Sequence, residues 1–304
     1  MPHRRSLPGR SSFLVVSVRL CYKWFSERIA IFKVCVLASG SSGNATLVST
    51  GRTRLLIDAG LSLRDIRQRL EQIGERAEHL NAILISHEHS DHVAGLPRLA
   101  RKLRLPVYIT ERTGRAIDWG EAPPLLEHFQ AGSRFPIGDI EIASFTVPHD
   151  AADPVGFCLR AGGVQFALVT DLGYITDSIR YHLRGSDLLL LESNHDLEML
   201  KVGPYPWSVK QRVMSRLGHL SNDSACDFIR EDFDISAGTL ILGHLSENNN
   251  HPEIVRIMAA QALADRGAAT RLVIAQQKKP TEVFTFNESH DSTLYAPCHG
   301  AHLE

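Results

Sequence analysis

Three histidines and an aspartate lie close together in the stretch HEHSDH at residues 87–92. Imidazole nitrogens and carboxylate oxygens are the ligands that zinc and its first-row neighbours prefer. The apolar run Ala82–Ile85 predicts a short buried strand just before this stretch, and Val93 opens a predicted helix just after it. Alternate residues beyond a strand end point the same way, so His87 and His89 can bind one ion. A polar loop of solvated histidines is the alternative, but this density of ligand-type residues favours a metal site.

Four further ligand-type residues each follow a predicted apolar strand elsewhere in the chain. They are Asp58, His149, Asp171 and His244. For any one of them, capping a turn would be the default role. Together with residues 87–92 they form a set of the kind that a rigid sheet holds at its edge. We predict that these side chains meet at one site, with Asp91 and His92 facing a second ion beside the first.

Composition limits the classes of protein to consider. The 304 residues, 43% of them hydrophobic, are enough for one large domain or two small ones. Lysine plus arginine number 33 against 34 for aspartate plus glutamate, which excludes a generic polycation that holds nucleic acid by charge alone. The five cysteines are scattered without a C-x-x-C motif, which indicates reduced thiols in the cytoplasm. No apolar run reaches the roughly 20 residues that cross a bilayer, and the sequence leaves the oligomeric state open.

Alternating strand and helix patterns predict one α/β domain over residues 33–286. The basic residues 1–32 are interpreted as a disordered leader outside the fold, and residues 287–304 as a loose polar tail. Two segments, 120–134 and 194–207, are rich in proline, glycine and polar residues and are predicted to be irregular.

The turn Ser39–Asn44 joins the first two predicted strands and consists of serine, glycine and asparagine. Such a turn can cradle a phosphate, but this one lacks the lysine and serine or threonine of a P-loop. We interpret it as a plain hairpin turn near the site.

The order of these ligand-type residues resembles the motifs of the metallo-β-lactamase superfamily over roughly residues 33–286. The resemblance implies a four-layer αββα sandwich that binds two divalent metal ions. It implies a first ion held by His87, His89 and His149, a second held by Asp91, His92 and His244, and Asp171 bridging the two. By the same resemblance, Asp58 orients the loop ligands. Histidine at position 89, in place of the glutamate of the flavodiiron branch, favours zinc or manganese.

A finer resemblance is to the bacterial YycJ/WalJ group of exonucleases. It is carried by the motifs LASGSSGN, SHEHSDH, HDAADPVGF, TDLGYITD, GHLSN and LGHLSENNN. The resemblance implies a phosphodiesterase that degrades DNA from 5′ to 3′, with a metal-activated hydroxide as nucleophile. Nucleic acid is then the expected partner, and Asp91 is expected to help orient the hydroxide.

Two residues outside the ligand set suggest how a leaving oxygen is protonated. Glu192 ends a predicted strand, and His219 lies in a turn. A similarly positioned glutamate and histidine form a proton relay in the tRNA 3′-processing branch of the superfamily, and such pairing raises a histidine pKa. The alternative for His219 is a helix cap beside Ser221. His195 either shares the relay or lines the cleft.

A positively charged segment follows the second irregular stretch. Lys201, Lys210, Arg212 and Trp207, together with Arg216 and Tyr205, are predicted to form a rim that binds phosphates and stacks on bases. Charged residues on helices are more often simply solvated, which is the alternative. For the whole protein, the alternative function is a small-molecule hydrolase of the same fold. Such an enzyme would be a cyclic phosphodiesterase, or a glyoxalase- or lactamase-like ester or thioester hydrolase.

Overall fold

The computed structural model describes residues 32–120 and 122–287. The predicted leader and tail lie outside the described residues, apart from Phe32 and Asn287. Phe32 is buried, begins the first strand and pairs with Phe286 near the far end of the described chain.

Strands from both ends of the described chain meet in a first sheet. Its strands are β1 (Phe32–Ala38), β2 (Ala45–Ser49), β3 (Arg54–Ile57), β4 (Ala82–Leu84), β5 (Val107–Thr110), β6 (Leu126–Phe129) and β14 (Phe284–Phe286). Their order across the sheet is β14-β1-β2-β3-β4-β5-β6. Pairing is antiparallel from β14 to β3 and parallel from β3 to β6.

The second sheet is built from the strands between residues 134 and 274. They are β7 (Arg134–Ile137), β8 (Ile140–Thr146), β9 (Val155–Ala161), β10 (Val164–Val169), β11 (Leu188–Glu192), β12 (Thr239–Gly243) and β13 (Arg271–Ile274). The order is β13-β12-β11-β10-β9-β8-β7, antiparallel from β7 to β10 and parallel from β10 to β13.

Short helices connect many of these strands. They are α1 (Leu63–Gln72), α2 (Ser90–Val93), α3 (Leu96–Leu103), α4 (Glu111–Ala116), α5 (Asp177–Leu183), α6 (Leu197–Val202), α7 (Trp207–Val213), α8 (Asn222–Glu231) and α9 (Pro252–Asp265), with a 3₁₀ turn at Ala77–His79. Side-chain caps satisfy the free N–H groups at several helix starts, as Ser62 does for α1 and Ser221 for α8.

The apolar side chains divide into three buried layers. One layer, containing Phe157, lies between the two sheets. A second joins the outer face of the first sheet to α1 and α3 through residues such as Leu70, and a third joins the second sheet to α5, α8 and α9 through residues such as Ile229. This arrangement is the αββα four-layer sandwich that the resemblance implied, so the predicted fold is confirmed.

The carboxyl ends of several parallel strands face the same edge of the sandwich. β3 and β4 run parallel with Ile57 opposite Leu84, and β10, β11 and β12 run parallel with Val169 opposite Leu191. A residue that directly follows any of these strands therefore emerges at that edge, which is the arrangement that a site built from distant sequence requires.

Both segments predicted to be irregular contain regular structure. β6 lies within residues 120–134 and pairs with β5, and α6 lies within 194–207, where the side chain of Asp196 caps its first turn.

Across the described residues, the helices are too short or too polar for any one of them to span a bilayer.

Candidate metal centre

The structure brings all of the predicted metal ligands to one edge of the sandwich. Nitrogens of His87, His89 and His149 lie within 4.8 Å of one another. In this first group, His89 Nδ1 is 3.2 Å from His149 Nε2.

Ligand atoms of Asp91, His92, Asp171 and His244 form a second group within 4.8 Å of one another. Asp171 belongs to this group and reaches the first, because its Oδ1 is 3.5 Å from His244 Nε2 and 3.8 Å from His149 Nε2. The other oxygen, Oδ2, is 3.2 Å from His92 Nε2. Asp171 thus lies between the two groups.

Three of the site residues have a left-handed backbone conformation. The φ angles are 58° at Asp58, 59° at Asp171 and 56° at His244. Among non-glycine residues of the described chain, Arg104 is the other with positive φ. This conformation is costly for residues with a Cβ and is found where surrounding structure enforces it, often at functional sites. At each of the three, the chain turns sharply as it leaves a strand.

Asp58 organises the loop that follows β4. Its carboxylate accepts hydrogen bonds from the backbone N–H and the hydroxyl of Ser86, at 2.9 to 3.0 Å. It also pairs with His92 Nδ1 at 2.8 Å, and Ser86 Oγ lies 3.0 Å from His87 Nδ1. With Nδ1 engaged in this way, the Nε2 atoms of His87 and His92 are left to face the centre.

The imidazoles from the second sheet are held in the same manner. His149 Nδ1 donates to the carbonyl oxygen of Gly218 at 3.0 Å, and His244 Nδ1 lies 2.7 Å from Glu192 Oε1. A hydrogen bond at one ring nitrogen fixes the tautomer and aims the other nitrogen, which is the usual arrangement around metal-binding histidines.

One buried nitrogen shows directly that this site fits a cation. His87 Nε2 is buried and has no hydrogen-bond partner in the described chain. Leaving such an atom unpaired costs about 1–3 kcal/mol. Burial, with the neighbouring charge of His92, holds the pKa of His87 well below its ordinary value, which favours the neutral imidazole that a metal ligand must be. A buried, unpaired imidazole nitrogen beside two further histidines fits a metal ion.

In the second group, buried carboxylates and imidazoles shift one another's pKa values. Burial alone would raise the pKa of Asp171, but the charges of His244 and His92 hold it well below its usual range. Burial alone would lower the pKa of His244, yet Asp171, Asp91 and Glu192 together raise it to about 10. Buried carboxylates that stay ionised need nearby positive charge, from protonated imidazoles or from metal.

Glu192 also binds His219: its Oε1 lies 2.9 Å from His219 Nδ1. The second carboxylate oxygen of Glu192, Oε2, accepts hydrogen bonds from the backbone N–H groups of Leu172 and Leu220. Burial would raise the pKa of Glu192, but the charge and hydrogen bonds of His219 and His244 lower it to about 2. The same carboxylate outweighs burial at His219 and raises the pKa of that imidazole.

A pocket of about 310 Å³ opens over the centre. Its lining includes His219, Asp91 and Arg212. The Arg212 guanidinium is oriented by an ion pair with Asp150, the residue after His149. Arg212 is the member of the predicted phosphate-binding rim that lines this pocket.

The other predicted rim residues and His195 lie elsewhere. Lys210 is buried, and its ammonium donates to the carbonyl oxygen of Lys201 at 2.8 Å. Lys201 itself is exposed and pairs with Glu198, and Trp207 is 62% exposed. Neither Trp207 nor the two lysines line the pocket.

His195 is buried beside Ser221 rather than in the pocket, and burial lowers its pKa to about 4.

Sequence reasoning missed the contribution of the turn Ser39–Asn44. The Asn44 side-chain nitrogen lies 3.2 Å from Asp91 Oδ2 and 3.0 Å from His92 Nε2, and the hydroxyl of Ser39 accepts the backbone N–H of His244 at 2.7 Å. The turn therefore buttresses ligands of the second group and is more than a hairpin connection. The available signal was that this turn belongs to LASGSSGN, one of the motifs that carry the family resemblance.

Comparison with known proteins agrees with this geometry. Residues 53–245 match the family model described as beta-lactamase superfamily domain. The chain is 38% identical over 255 residues to exodeoxyribonuclease YycJ of Bacillus anthracis, covering 82% of this chain and 97% of that protein. It is 40% identical over 238 residues to exodeoxyribonuclease WalJ of Streptococcus pneumoniae, covering 77% of this chain and 88% of the relative.

A solved structure shows the same fold. The metallo-beta-lactamase fold protein YhfI from Bacillus subtilis superposes with a TM-score of 0.65 at 21% identity, over 84% of this chain and all of that one. The predicted relationship is confirmed: the chain belongs to the metallo-β-lactamase superfamily and, within it, to the YycJ/WalJ-like group.

Proposed function

We propose that this chain is a metal-dependent phosphodiesterase, specifically an exonuclease that degrades DNA from 5′ to 3′. The observation that carries the proposal is the convergence of histidine and aspartate ligands from separate strand ends around the unpaired His87 Nε2. The names of the YycJ and WalJ relatives support DNA as the substrate. Within the described residues, Cys35, Cys158 and Cys226 are buried and form no disulfide, which is compatible with action in the cytoplasm.

Two divalent ions, zinc or manganese, are proposed to bind here. His87, His89 and His149 would hold one ion and Asp91, His92 and His244 the other. Asp171 would contact both, since its carboxylate lies between the two groups. Such ions supply Lewis-acid activation of water and of a phosphoryl oxygen.

Three side chains of the protein would bind the substrate, orient the water and protonate the leaving group. Arg212 lines the pocket and would bind a phosphate oxygen there. Asp91 would orient the attacking water by accepting a hydrogen bond from it. His219 lines the same pocket with Nδ1 held by Glu192, so its Nε2 is available to protonate the departing sugar oxygen.

The alternative role of His219 as a helix cap has little support. The Oγ of Ser221 already accepts the N–H of Ser224 at the start of α8, so that helix has a side-chain cap of its own.

The test is cleavage of DNA labelled at one end, with purified protein and added Mn²⁺ or Zn²⁺. Wild-type protein should release labelled mononucleotides first from a 5′-labelled strand, and Asp171→Asn should be inactive because it loses metal. Release first from the 3′ label would overturn the polarity. A protein that binds metal stoichiometrically and cuts no phosphodiester would overturn the activity.

A small-molecule hydrolase is the second candidate, and the size of the pocket favours it. About 310 Å³ is at the lower end of the range of small-ligand sites. Comparing kcat/KM for oligonucleotides, a cyclic dinucleotide, bis(p-nitrophenyl) phosphate and a thioester separates the two. A preference for the cyclic dinucleotide or the thioester over DNA would favour this candidate.

A further inference from the structure

Besides the pocket that opens over the metal centre, the structure has a second, larger groove. It has a volume of about 810 Å³ and runs between α1 and the segment from Ala94 into α3. Its lining includes Arg64 and Arg67 from α1 and Arg98 from α3. We refer to it as the arginine groove.

The segment from α2 to α3 links the lining of the pocket to the lining of the arginine groove. Ala94 and Gly95, between α2 and α3, have helical backbone angles, with φ of −54° and −91°. α2 ends at Val93 and α3 begins at Leu96, and the N–H of Gly95 between them donates to the carbonyl oxygen of Ala59. The N–H of Ala94 still donates to the carbonyl oxygen of Ser90, so Ala94 lies one turn beyond Ser90, and Arg98 follows in the first turn of α3. Ser90 lines the pocket, while Ala94 and Arg98 line the groove, and all three are exposed.

Of the three arginines in the arginine groove, one has an ion-pair partner within the described residues and two do not. Arg67 pairs with Glu78 at 2.9 Å. Arg64 and Arg98 are exposed, and neither has a hydrogen-bond or ion-pair partner within residues 32–120 and 122–287. Glu71 is the carboxylate residue in the lining. The groove thus presents two free guanidinium groups beside a site proposed to cut phosphodiesters.

We propose that the arginine groove binds the sugar–phosphate backbone of the DNA strand whose end occupies the pocket. This inference rests on the proposed function. Eight residues, divided between two short helices, separate Ser90 from Arg98, which is on the order of 12 Å at about 1.5 Å per residue. That distance corresponds to roughly three to four nucleotides at about 3.4 Å each. Arg64 and Arg98 would contact phosphates three to four nucleotides from the cleaved end and hold the strand in line with the metal centre.

Binding of a fluorescent single-stranded 12-mer, followed by anisotropy, tests the inference without requiring turnover. The variant Arg64→Gln/Arg98→Gln should bind about tenfold more weakly at ~0.1 M salt, and its slope of log K against log salt should fall by about 1.4 for two lost phosphate contacts. The matched control is Arg230→Gln/Arg256→Gln, which removes the same charge from α8 and α9 on the opposite helix layer. It should bind like wild type.

Turnover separates this inference from the proposed function. Hydrolysis of bis(p-nitrophenyl) phosphate should be unchanged in the groove variant, while KM for the 12-mer rises. If the groove variant and the control bind the 12-mer alike, or if wild type binds none, the inference fails even where wild type still cuts phosphodiesters. If wild type binds DNA through the groove and cuts nothing, the proposed function fails and the groove stands as a DNA-binding surface.

Discussion

Glu192 is one buried carboxylate that orients two imidazoles with different tasks. Its Oε1 lies 2.7 Å from His244 Nδ1 and 2.9 Å from His219 Nδ1. Two backbone N–H groups on Oε2 fix the carboxylate itself. Because His244 belongs to the proposed ligand set and His219 to the proposed proton relay, Glu192 couples metal binding to protonation of the leaving group.

Replacing His219 with alanine should separate these two tasks. The His219→Ala variant keeps every proposed metal ligand, so we expect it to retain metal while kcat falls about 10²–10⁴-fold, the range for loss of a general acid. Metal content by elemental analysis, together with kcat on an oligonucleotide, measures both effects. His219 also lies within 4.8 Å of Asp171 and His244. Loss of metal from the variant would identify it as a ligand.

Replacing Asp58 with asparagine should weaken metal binding without removing any ligand. The carboxylate holds His92 and, through Ser86, His87. An amide in its place cannot pair with both donors as an anion does, and loss of such partners typically costs 10–100-fold in metal affinity. The control is Asp139→Asn, since Asp139 accepts from Thr50 in a turn outside the site. Equal metal affinities for the two variants, measured by competition with a chelator, would contradict this role.

The segments that carry the site are short and tightly apposed. Gly60 follows β3, and a Cβ on it would lie 1.7 Å from the carbonyl oxygen of Asp91. Its backbone N–H donates to the Asn44 carbonyl, and the Asn44 N–H donates to Asp91. Three separate stretches of backbone therefore meet where a side chain has no room.

Gly60→Ala should consequently displace the loop that carries Asp91. Overpacking of this kind typically costs about 1–3 kcal/mol, and we expect a loss of unfolding free energy near the upper end of that range, with weaker metal binding. Gly51→Ala is the matched control, because no atom lies within 4 Å of its added Cβ. Denaturant unfolding and metal titration of both variants give the comparison. Indistinguishable results would show that the Gly60 turn relaxes freely.

Much of the architecture was predictable because the core strands are apolar and the ligands directly follow them. β6 was missed since its pattern LEHF is largely exposed, and its only signal is pairing with β5. α6 was missed because a six-residue helix between polar and glycine-proline segments has almost no periodicity. Contacts such as Asn44 with Asp91 depend on how distant turns fold together. The same holds for the buried ammonium of Lys210, which sequence reasoning assigned to an exposed rim.

The two sheets contribute different residues to the candidate metal centre. Asp58 and residues 87–92 follow strands of the first sheet, whereas His149, Asp171 and His244 follow strands of the second. Bound metal would therefore link the two halves of the sandwich across their shared edge. In metal-free protein, the same edge holds several buried carboxylates and imidazoles that depend on one another's charges.

Chelation should therefore lower the stability of the whole domain as well as its activity. Metal bound at 100 times its Kd stabilises the folded state by about 2.7 kcal/mol, which corresponds to roughly 5–10 °C in Tm for a domain of this size. We expect Tm to fall by that amount on treatment with EDTA and to recover on adding Mn²⁺ or Zn²⁺, as followed by calorimetry. In Asp171→Ala the shift should become clearly smaller, because the carboxylate between the two groups is gone while His87, His89 and His149 remain. A metal-dependent shift of wild-type size in this variant would mean that Asp171 contacts none of the stabilising ions.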